Sequence, residues 1–300
     1  MRVLLVALLV ACYGLLLPPL QRQLEQRAVA VKLGYTPAAE VLKLSVAEHR
    51  QAVASWIVLK VLFYYGSTIQ AMLDNHPVRP EYFNMFNTLQ TALKLDPYNM
   101  DAYYFAQGAF TWEVGRIREV NNLLDYGMKY RTWDWCLPYF AGFNEAFFLK
   151  DYKKASAYMQ QAAELSGNPL FTRLAARFFY ESGRVDLGLD FLDNAIKQAK
   201  EPRLREIFQL RRQALLAVRE LENAIGRFHI GFQRSPQTLQ ELVSSGLLAA
   251  LPVDPYGGEF YLDLQGKVRT TSNFAIPQEK KPAAPAGQGE PPGSGRSVVQ

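Results

Sequence analysis

The chain has 300 residues, of which 49% are hydrophobic and 20% are charged, and its formal net charge is +5. This length allows one large domain or two modest ones, and most of the chain can bury a hydrophobic core. The positive charge is small and spread over helix faces, so we expect no nucleic-acid partner. Two cysteines, Cys12 and Cys136, are too few for a framework of disulfides.

An almost wholly apolar run, Val3–Leu20, is just long enough to span a bilayer. We therefore expect residues 1–20 to be a signal anchor that spans a bacterial inner membrane once and leaves the body in the periplasm. Two alternatives stay open. The segment Leu9-Val10-Ala11-Cys12 resembles a bacterial lipoprotein signal, in which Cys12 would carry the lipid. The second alternative is a secretory signal that is cleaved.

Two segments follow the predicted anchor. The composition of residues 21–44 indicates a polar, helix-prone stalk with a break at Gly34-Tyr35-Thr36-Pro37. The next stretch, Ser45–Ile69, predicts a strong helix with broad apolar faces. Those faces carry Trp56, Leu59, Val61, Leu62 and Phe63.

A pattern of apolar residues at spacings of four and three, mostly small, large and small, recurs every 33 to 35 positions. Its instances are Met85-x3-Leu89-x2-Ala92, Val120-x3-Leu124-x2-Gly127, Ala155-x3-Met159-x2-Ala162 and Gly188-x3-Leu192-x2-Ala195. This period predicts stacked helical hairpins, in which the small residues let a neighbouring helix approach closely.

Turn signals agree with this period. Proline cannot continue a helix, so helices should stop at Asp96-Pro97, Asn168-Pro169 and Glu201-Pro202. Tight turns within each hairpin are predicted at Gly115-Arg116, Lys150-Asp151-Tyr152 and Gly183-Arg184.

This arrangement resembles the tetratricopeptide repeat (TPR) family over roughly residues 47–202. The resemblance rests on Trp56-x2-Leu59-x3-Phe63, on Leu95-Asp96-Pro97-Tyr98-Asn99 and on the Gly183-Arg184 turn. It implies a mainly α fold, a TPR-like helical-hairpin solenoid with residues 45–202 as its repeats. Such a solenoid offers a concave surface to a protein or peptide partner.

Residues 203–229 predict a long capping helix after Pro202. One side of this helix is basic and carries Arg203, Arg205, Arg211, Arg212 and Arg219. We expect these arginines to lie in solvent on the outer face of the helix. A surface that contacts phosphate groups is the alternative.

Residues 230–275 differ in character and predict a small α+β C-terminal appendage. A helix start at Ser235-Pro236 precedes a hairpin of Phe260–Asp263 and Lys267–Thr271, which turns at Gln265-Gly266. Residues 276–300 are mainly Pro, Gly, Ala, Ser and charged residues, which predicts a disordered tail.

Three motifs in this part resemble the globular end of type II secretion pseudopilins. They are Leu221-Glu222-Asn223-Ala224, Leu239-Gln240-Glu241-Leu242 and Pro252-Val253-Asp254-Pro255-Tyr256-Gly257. A pseudopilin carries such motifs directly behind its N-terminal helix, whereas here the repeats intervene. The resemblance therefore implies a borrowed module and not a pilin.

Three acidic residues of the appendage are the strongest candidates for a metal site. Asp254, Glu259 and Asp263 could supply oxygen ligands to calcium. We expect instead that Asp254 caps a turn and that the other two face solvent, so we predict no metal.

The sequence shows no recognisable catalytic centre. It lacks a phosphate-binding glycine loop, a nucleophile elbow and a Cys-x-x-Cys motif. Its histidines, at 49, 76 and 229, have no metal-ligand spacing. We therefore predict no catalytic residues and no cofactor, and a membrane-anchored scaffold or adaptor for a bacterial envelope assembly or secretion system. The alternative is an envelope hydrolase or sugar-modifying enzyme whose active site is not recognised.

The candidate binding site is the inner face of the repeats, taken at spacings of four and three along the first helix of each hairpin. It comprises Phe105, Trp112, Phe140, Asn144, Phe147, Arg173, Arg177 and Tyr180, preceded by a first row of Ile57, Val61 and Tyr64. We expect a partner segment to place apolar side chains on the aromatic residues and an acidic group on the arginines. Asn144 would bond to the partner's backbone. The alternative is that the chain's own stalk or C-terminal module covers this face.

Overall fold

The structure is a computed structural model that describes residues 13–14, 17–19, 32–75 and 78–274. The predicted anchor therefore lies largely outside the described residues, and its described positions, 13–14 and 17–19, are helical. Residues 21–31 of the predicted stalk and the predicted tail at 276–300 also lie outside. The chain divides into two compact units, of which the first ends at Phe171 and the second begins at Thr172.

The described part of the chain has the predicted mainly α fold with a small α+β appendage. The helices of the first unit are α1 (Ala39–Ser45), α2 (Arg50–Leu73), α3 (Tyr82–Leu95), α4 (Met100–Phe105), α5 (Ile117–Met128), α6 (Cys136–Asn144) and α7 (Tyr152–Ser166). Helices α4 and α6 continue directly into π-helical segments, Ala106–Phe110 and Glu145–Leu149. Successive helices pack on one another, α2 on α3, α5 on α6 and α6 on α7.

Helices α3 and α7 end where the turn residues predict, and α5 begins directly after the predicted Gly115-Arg116 turn. Helix α3 ends at Leu95, directly before Asp96-Pro97. Asn99 caps α4, because its side chain accepts a hydrogen bond from the backbone N–H of Ala102 at 3.2 Å. Gly167 ends α7 with a φ of +65°, a left-handed conformation that glycine adopts without strain.

The repeating pattern of apolar residues lies on buried helix faces, as predicted. Its members on α3, α5 and α7 are all buried. A Cβ atom at Gly127 would lie 2.7 Å from Cζ of Tyr103 and 2.9 Å from Cδ1 of Leu137. The absence of a side chain at Gly127 therefore lets α5 pack closely on α4 and α6.

The buried side of α2 differs from the one that the TPR resemblance implies. Trp56, Leu59 and Phe63 are 64%, 48% and 75% exposed. The core is filled instead by the first row of the predicted inner face, Ile57, Val61 and Tyr64, which is buried and not open to a partner. This reversal follows from the composition of α2, which is apolar on all sides, so its pattern favours neither face.

The helical stretch Ala47–Leu73, which contains α2, is long and apolar enough to cross a membrane by length and composition. A core helix of a soluble protein can pass the same test. This stretch is distinct from Val3–Leu20, where the sequence predicts the anchor.

The second unit contains most of α8 (Pro169–Glu181), followed by α9 (Val185–Gln198), α10 (Pro202–Phe232), α11 (Gln240–Ser244), β1 (Phe260–Leu262) and β2 (Val268–Thr270). The predicted capping helix is α10, which extends beyond both predicted ends, and it packs on α9. Strands β1 and β2 form the predicted antiparallel hairpin, with Tyr261 opposite Arg269. Gly266 takes a φ of +73° in its turn.

Asp254 holds the appendage together and caps a turn, as predicted. Its side chain is 2% exposed. Oδ1 accepts a hydrogen bond from the backbone N–H of Tyr256 at 2.9 Å, and Oδ2 accepts one from the hydroxyl of Ser272 at 2.6 Å. The hydroxyl of Thr270 also donates to Oδ2. Both oxygens of the Asp254 carboxylate therefore accept hydrogen bonds from the appendage itself.

We predict that Gly127→Ala lowers the free energy of unfolding by about 1–3 kcal/mol, because the new methyl group overpacks the contact with Tyr103 and Leu137. Urea denaturation of the purified protein measures this change. The matched control is Gly66→Ala on α2, where an added Cβ would meet no atom within 4 Å. That substitution should be neutral or stabilise by up to about 1 kcal/mol. Equal effects at both glycines would contradict the close packing of α5.

Candidate partner-binding site

A chain of side-chain hydrogen bonds, here called the buried amide network, runs through the first unit. Gln107 and Asn144 pair reciprocally. Nε2 of Gln107 donates to Oδ1 of Asn144 at 2.8 Å, and Nδ2 of Asn144 donates to Oε1 of Gln107 at 2.8 Å. Asn144 Nδ2 also donates to Asn121 Oδ1 at 2.8 Å, and Asn121 Nδ2 donates to Glu145 Oε1 at 3.0 Å. All four side chains are buried. The network therefore ties α5 and the end of α6 to both π-helical segments.

The two π-helical segments lie at the level of this network. Gln107 is within the first segment, and Glu145 begins the second directly after Asn144. A π-helical turn contains more residues than an α-helical one, so it rotates the residues after it around the helix axis. Single π-helical turns are rare and often occur at functional sites.

Four aromatic side chains, here called the aromatic surface, lie on or beside these segments: Trp112, Phe143, Phe147 and Phe148. The ring centre of Trp112 is 5.8 Å from that of Phe147 and 5.0 Å from that of Phe148. Phe143 and Phe147 stack with their centres 5.3 Å apart. Trp112 is 58% exposed and Phe147 is 52% exposed. The cluster is thus packed internally while two of its large rings face solvent.

The structure separates the predicted site residues of the first unit into three groups, by exposure. Trp112 and Phe147 belong to the aromatic surface, whereas Phe105 and Phe140 are half-buried and pack against the core. Asn144 is fully buried, and both of its N–H groups are used by Gln107 and Asn121. Asn144 is therefore not available to a partner's backbone, and its observed role is to hold the core.

The remaining predicted residues lie in the second unit. Arg177 is exposed, with its Nε 3.9 Å from Oε1 of Glu181, and Arg173 is half-buried. Tyr180 is only 8% exposed, and its hydroxyl donates to the backbone oxygen of Val268 at 2.9 Å. Burial raises the pKa of Tyr180 to about 12. At Tyr180, then, the chain's own appendage covers the predicted face, which is the alternative that the sequence left open.

The prediction of a solvent-exposed basic side on α10 is wrong at Arg211, which is 5% exposed. Its Nη2 donates to the backbone oxygen of Phe274 at 2.8 Å, and its guanidinium lies 4.8 Å from the ring centre of Tyr256. Burial lowers the pKa of Arg211, and the positive charges of Arg173 and Arg177 lower it further. Within the described residues, Nε and Nη1 of Arg211 have no hydrogen-bond partner. Positive charge is thus concentrated in this part of the second unit.

Several residues of the site were not among the sequence predictions. They are Gln107, Asn121, Glu145, Phe143 and Phe148. The sequence feature that could have identified them is a group of amide and carboxylate side chains among small and aromatic residues. Asn144-Glu145, between Phe143 and Ala146, is an example. Such residues are either buried in pairs or functional, and sequence alone does not show the pairing.

Across the part of the chain that the structure describes, no group of three or more His, Cys, Asp or Glu residues could hold a metal ion. Comparison with known proteins finds no matching family model, no matching curated protein and no matching solved structure. The resemblances to tetratricopeptide repeats and to pseudopilins therefore stay predictions.

We predict that Asn144→Ala lowers the free energy of unfolding by about 2–4 kcal/mol, because it leaves buried polar atoms of Gln107 and Asn121 unpaired. The matched control is Asn122→Ala on α5, whose side chain is exposed. That change should stay within about 0.5 kcal/mol of the wild type. Chemical denaturation followed by circular dichroism measures both, and a similar small loss in the two variants would contradict the role of the network.

Proposed function

We propose that the protein is a membrane-anchored scaffold that binds a protein partner in a bacterial envelope assembly or secretion system. The anchor is the predicted span at residues 3–20, and the body is expected in the periplasm. The apolar run itself supports an anchor, and the exposed aromatic surface supports partner binding. The assignment to secretion rests on the pseudopilin resemblance of the C-terminal motifs.

The observation that carries the proposal is the exposure of Trp112 and Phe147 on a packed aromatic cluster. Tryptophan and other large aromatic residues supply much of the binding energy at protein interfaces, since each buries a large area with few rotatable bonds. Contiguous apolar side chains exposed on a rigid support mark interaction sites more often than isolated ones do.

The partner is expected to present apolar side chains together with an acidic group. The apolar side chains would cover Trp112 and Phe147, and the amine of Lys150, 5.4 Å from the ring centre of Phe147, would favour an acidic neighbour. In the second unit, Arg173 and Arg177 offer guanidinium groups suited to a carboxylate.

The test begins with identification of the partner by photo-crosslinking in cells, with the reactive residue placed at position 147. The purified partner is then titrated against the detergent-solubilised full chain. We predict that Trp112→Ala and Phe147→Ala each weaken binding by at least about tenfold, because a truncated interface anchor costs about 1–2 kcal/mol or more. The pair Arg173→Glu with Arg177→Glu tests the second unit by itself, where charge reversal should weaken binding if that unit receives the partner's acidic group.

Two control variants match these changes. Trp133→Ala removes another tryptophan of the first unit that is 60% exposed. Lys200→Glu with Arg203→Glu reverses the same amount of charge at exposed positions of the second unit. Both controls should bind as the wild type does. If the controls weaken binding as much as the test variants, or if position 147 gives no specific crosslink, the proposal is wrong.

A further inference from the structure

A polar cavity of about 490 Å³ lies beside the buried amide network in the first unit. Its lining includes Arg118, Asn121, Asp125, Glu145, Lys154 and Tyr158. This volume suits a small ligand or a protruding side chain. The lining is distinct from the aromatic surface, since it contains none of that surface's four residues.

Glu145 is the unusual member of this lining. The residue is 4% exposed, and its Oε1 accepts the hydrogen bond from Asn121. Its Oε2 is buried, and among the residues that the structure describes it has no hydrogen-bond partner. A buried carboxylate oxygen without a donor is costly, because it has lost its water and gained nothing in return.

The cations around the cavity do not satisfy that oxygen. Nζ of Lys154 is 4.0 Å from Oε1 of Glu145 and 3.7 Å from Oδ2 of Asp151, both beyond hydrogen-bond distance. The side chain of Lys154 is 62% exposed. Of the charged residues that line the cavity, Asp125, Glu145 and Asp151 are acidic, whereas Arg118 and Lys154 are basic. Three negative charges against two positive ones leave an excess of one negative charge.

We propose that this cavity binds a primary ammonium group, which donates a hydrogen bond to Oε2 of Glu145. An ammonium group has three donors and no acceptor, and it is positively charged. It therefore matches both the unpaired acceptor and the excess negative charge. Asp125 supplies a second acceptor. The hydroxyl of Tyr158 already donates to its Oδ1 at 2.8 Å, so the ammonium group would bond to Oδ2. The ammonium group can belong to a free alkylamine or to a lysine side chain of another polypeptide, and the site does not depend on the partner surface.

The test is a titration of the full chain in detergent with two probes, n-butylamine and Nα-acetyl-lysine amide. Binding is followed by the NMR signal of the side-chain amide of Asn121, which is bonded to Glu145. Both probes should bind saturably if the cavity admits a lysine of a polypeptide, and only n-butylamine if it takes a free amine. Glu145→Gln should weaken binding by about tenfold or more, because it removes a charged hydrogen-bond acceptor.

A second variant keeps the test decisive even if Glu145→Gln disturbs the fold. Lys154→Met removes an exposed cation that repels the incoming ammonium group, so it should strengthen binding by about threefold to tenfold. The matched control, Lys153→Met, changes the same charge at the preceding exposed residue, which does not line the cavity. That control should leave the affinity unchanged.

Two results would overturn the assignment. One is the absence of saturable binding of either amine to the folded wild type. The other is weaker binding in Lys154→Met, together with binding of acetate in place of the amines, which would show that the cavity accepts an anion.

Discussion

The reciprocal hydrogen bonds between the amides of Gln107 and Asn144 are the constraint on which the first unit depends. Each amide donates to the other at 2.8 Å inside the core, and Asn121 and Glu145 extend the pairing. Apolar side chains tolerate many packings, whereas buried amides have to meet their partners or lose roughly 1–3 kcal/mol for each unpaired group. The network therefore permits one register of the helices that carry it, and both π-helical segments are fixed by that register.

This fixed register has consequences on two sides of the network. Trp112 follows the first π-helical segment, and Phe147 lies within the second, so the segments determine how their rings meet at 5.8 Å. A surface that is already ordered loses little conformational entropy when a partner binds. At its other end the network places Glu145 against the polar cavity, with one carboxylate oxygen still unpaired. One set of buried bonds thus supports both an apolar contact surface and a polar pocket.

The sequence was a good guide to the helices because turns and close contacts depend on local residue types. Gly127 is an example. Its place in the recurring pattern of small residues predicted the close approach of neighbouring helices that the structure shows. The orientation of α2 was not predictable in this way. Ile57 and Trp56 are both apolar, and only tertiary packing decides that the first is buried and the second is exposed.

At the candidate site the sequence failed where the backbone departs from an α-helix or where distant residues meet. Spacing for an α-helix puts Asn144 and Phe147 on one face, but the π-helical segment from Glu145 onward rotates Phe147 outward and leaves Asn144 inside. Arg211 looked exposed because its burial depends on Phe274, which is 63 residues away in the sequence. Neither the π-helical segment nor the burial of Arg211 can be predicted from local composition.

We expect the buried amide network to hold both π-helical segments rigid, so that the aromatic surface is already ordered in the free protein. Backbone amide hydrogen exchange of the free protein tests it directly. The amides of residues 106–110 and 145–149 should exchange as slowly as those in the buried part of α5. Exchange in these segments as fast as at the exposed turn residues 132 and 133 would contradict this expectation.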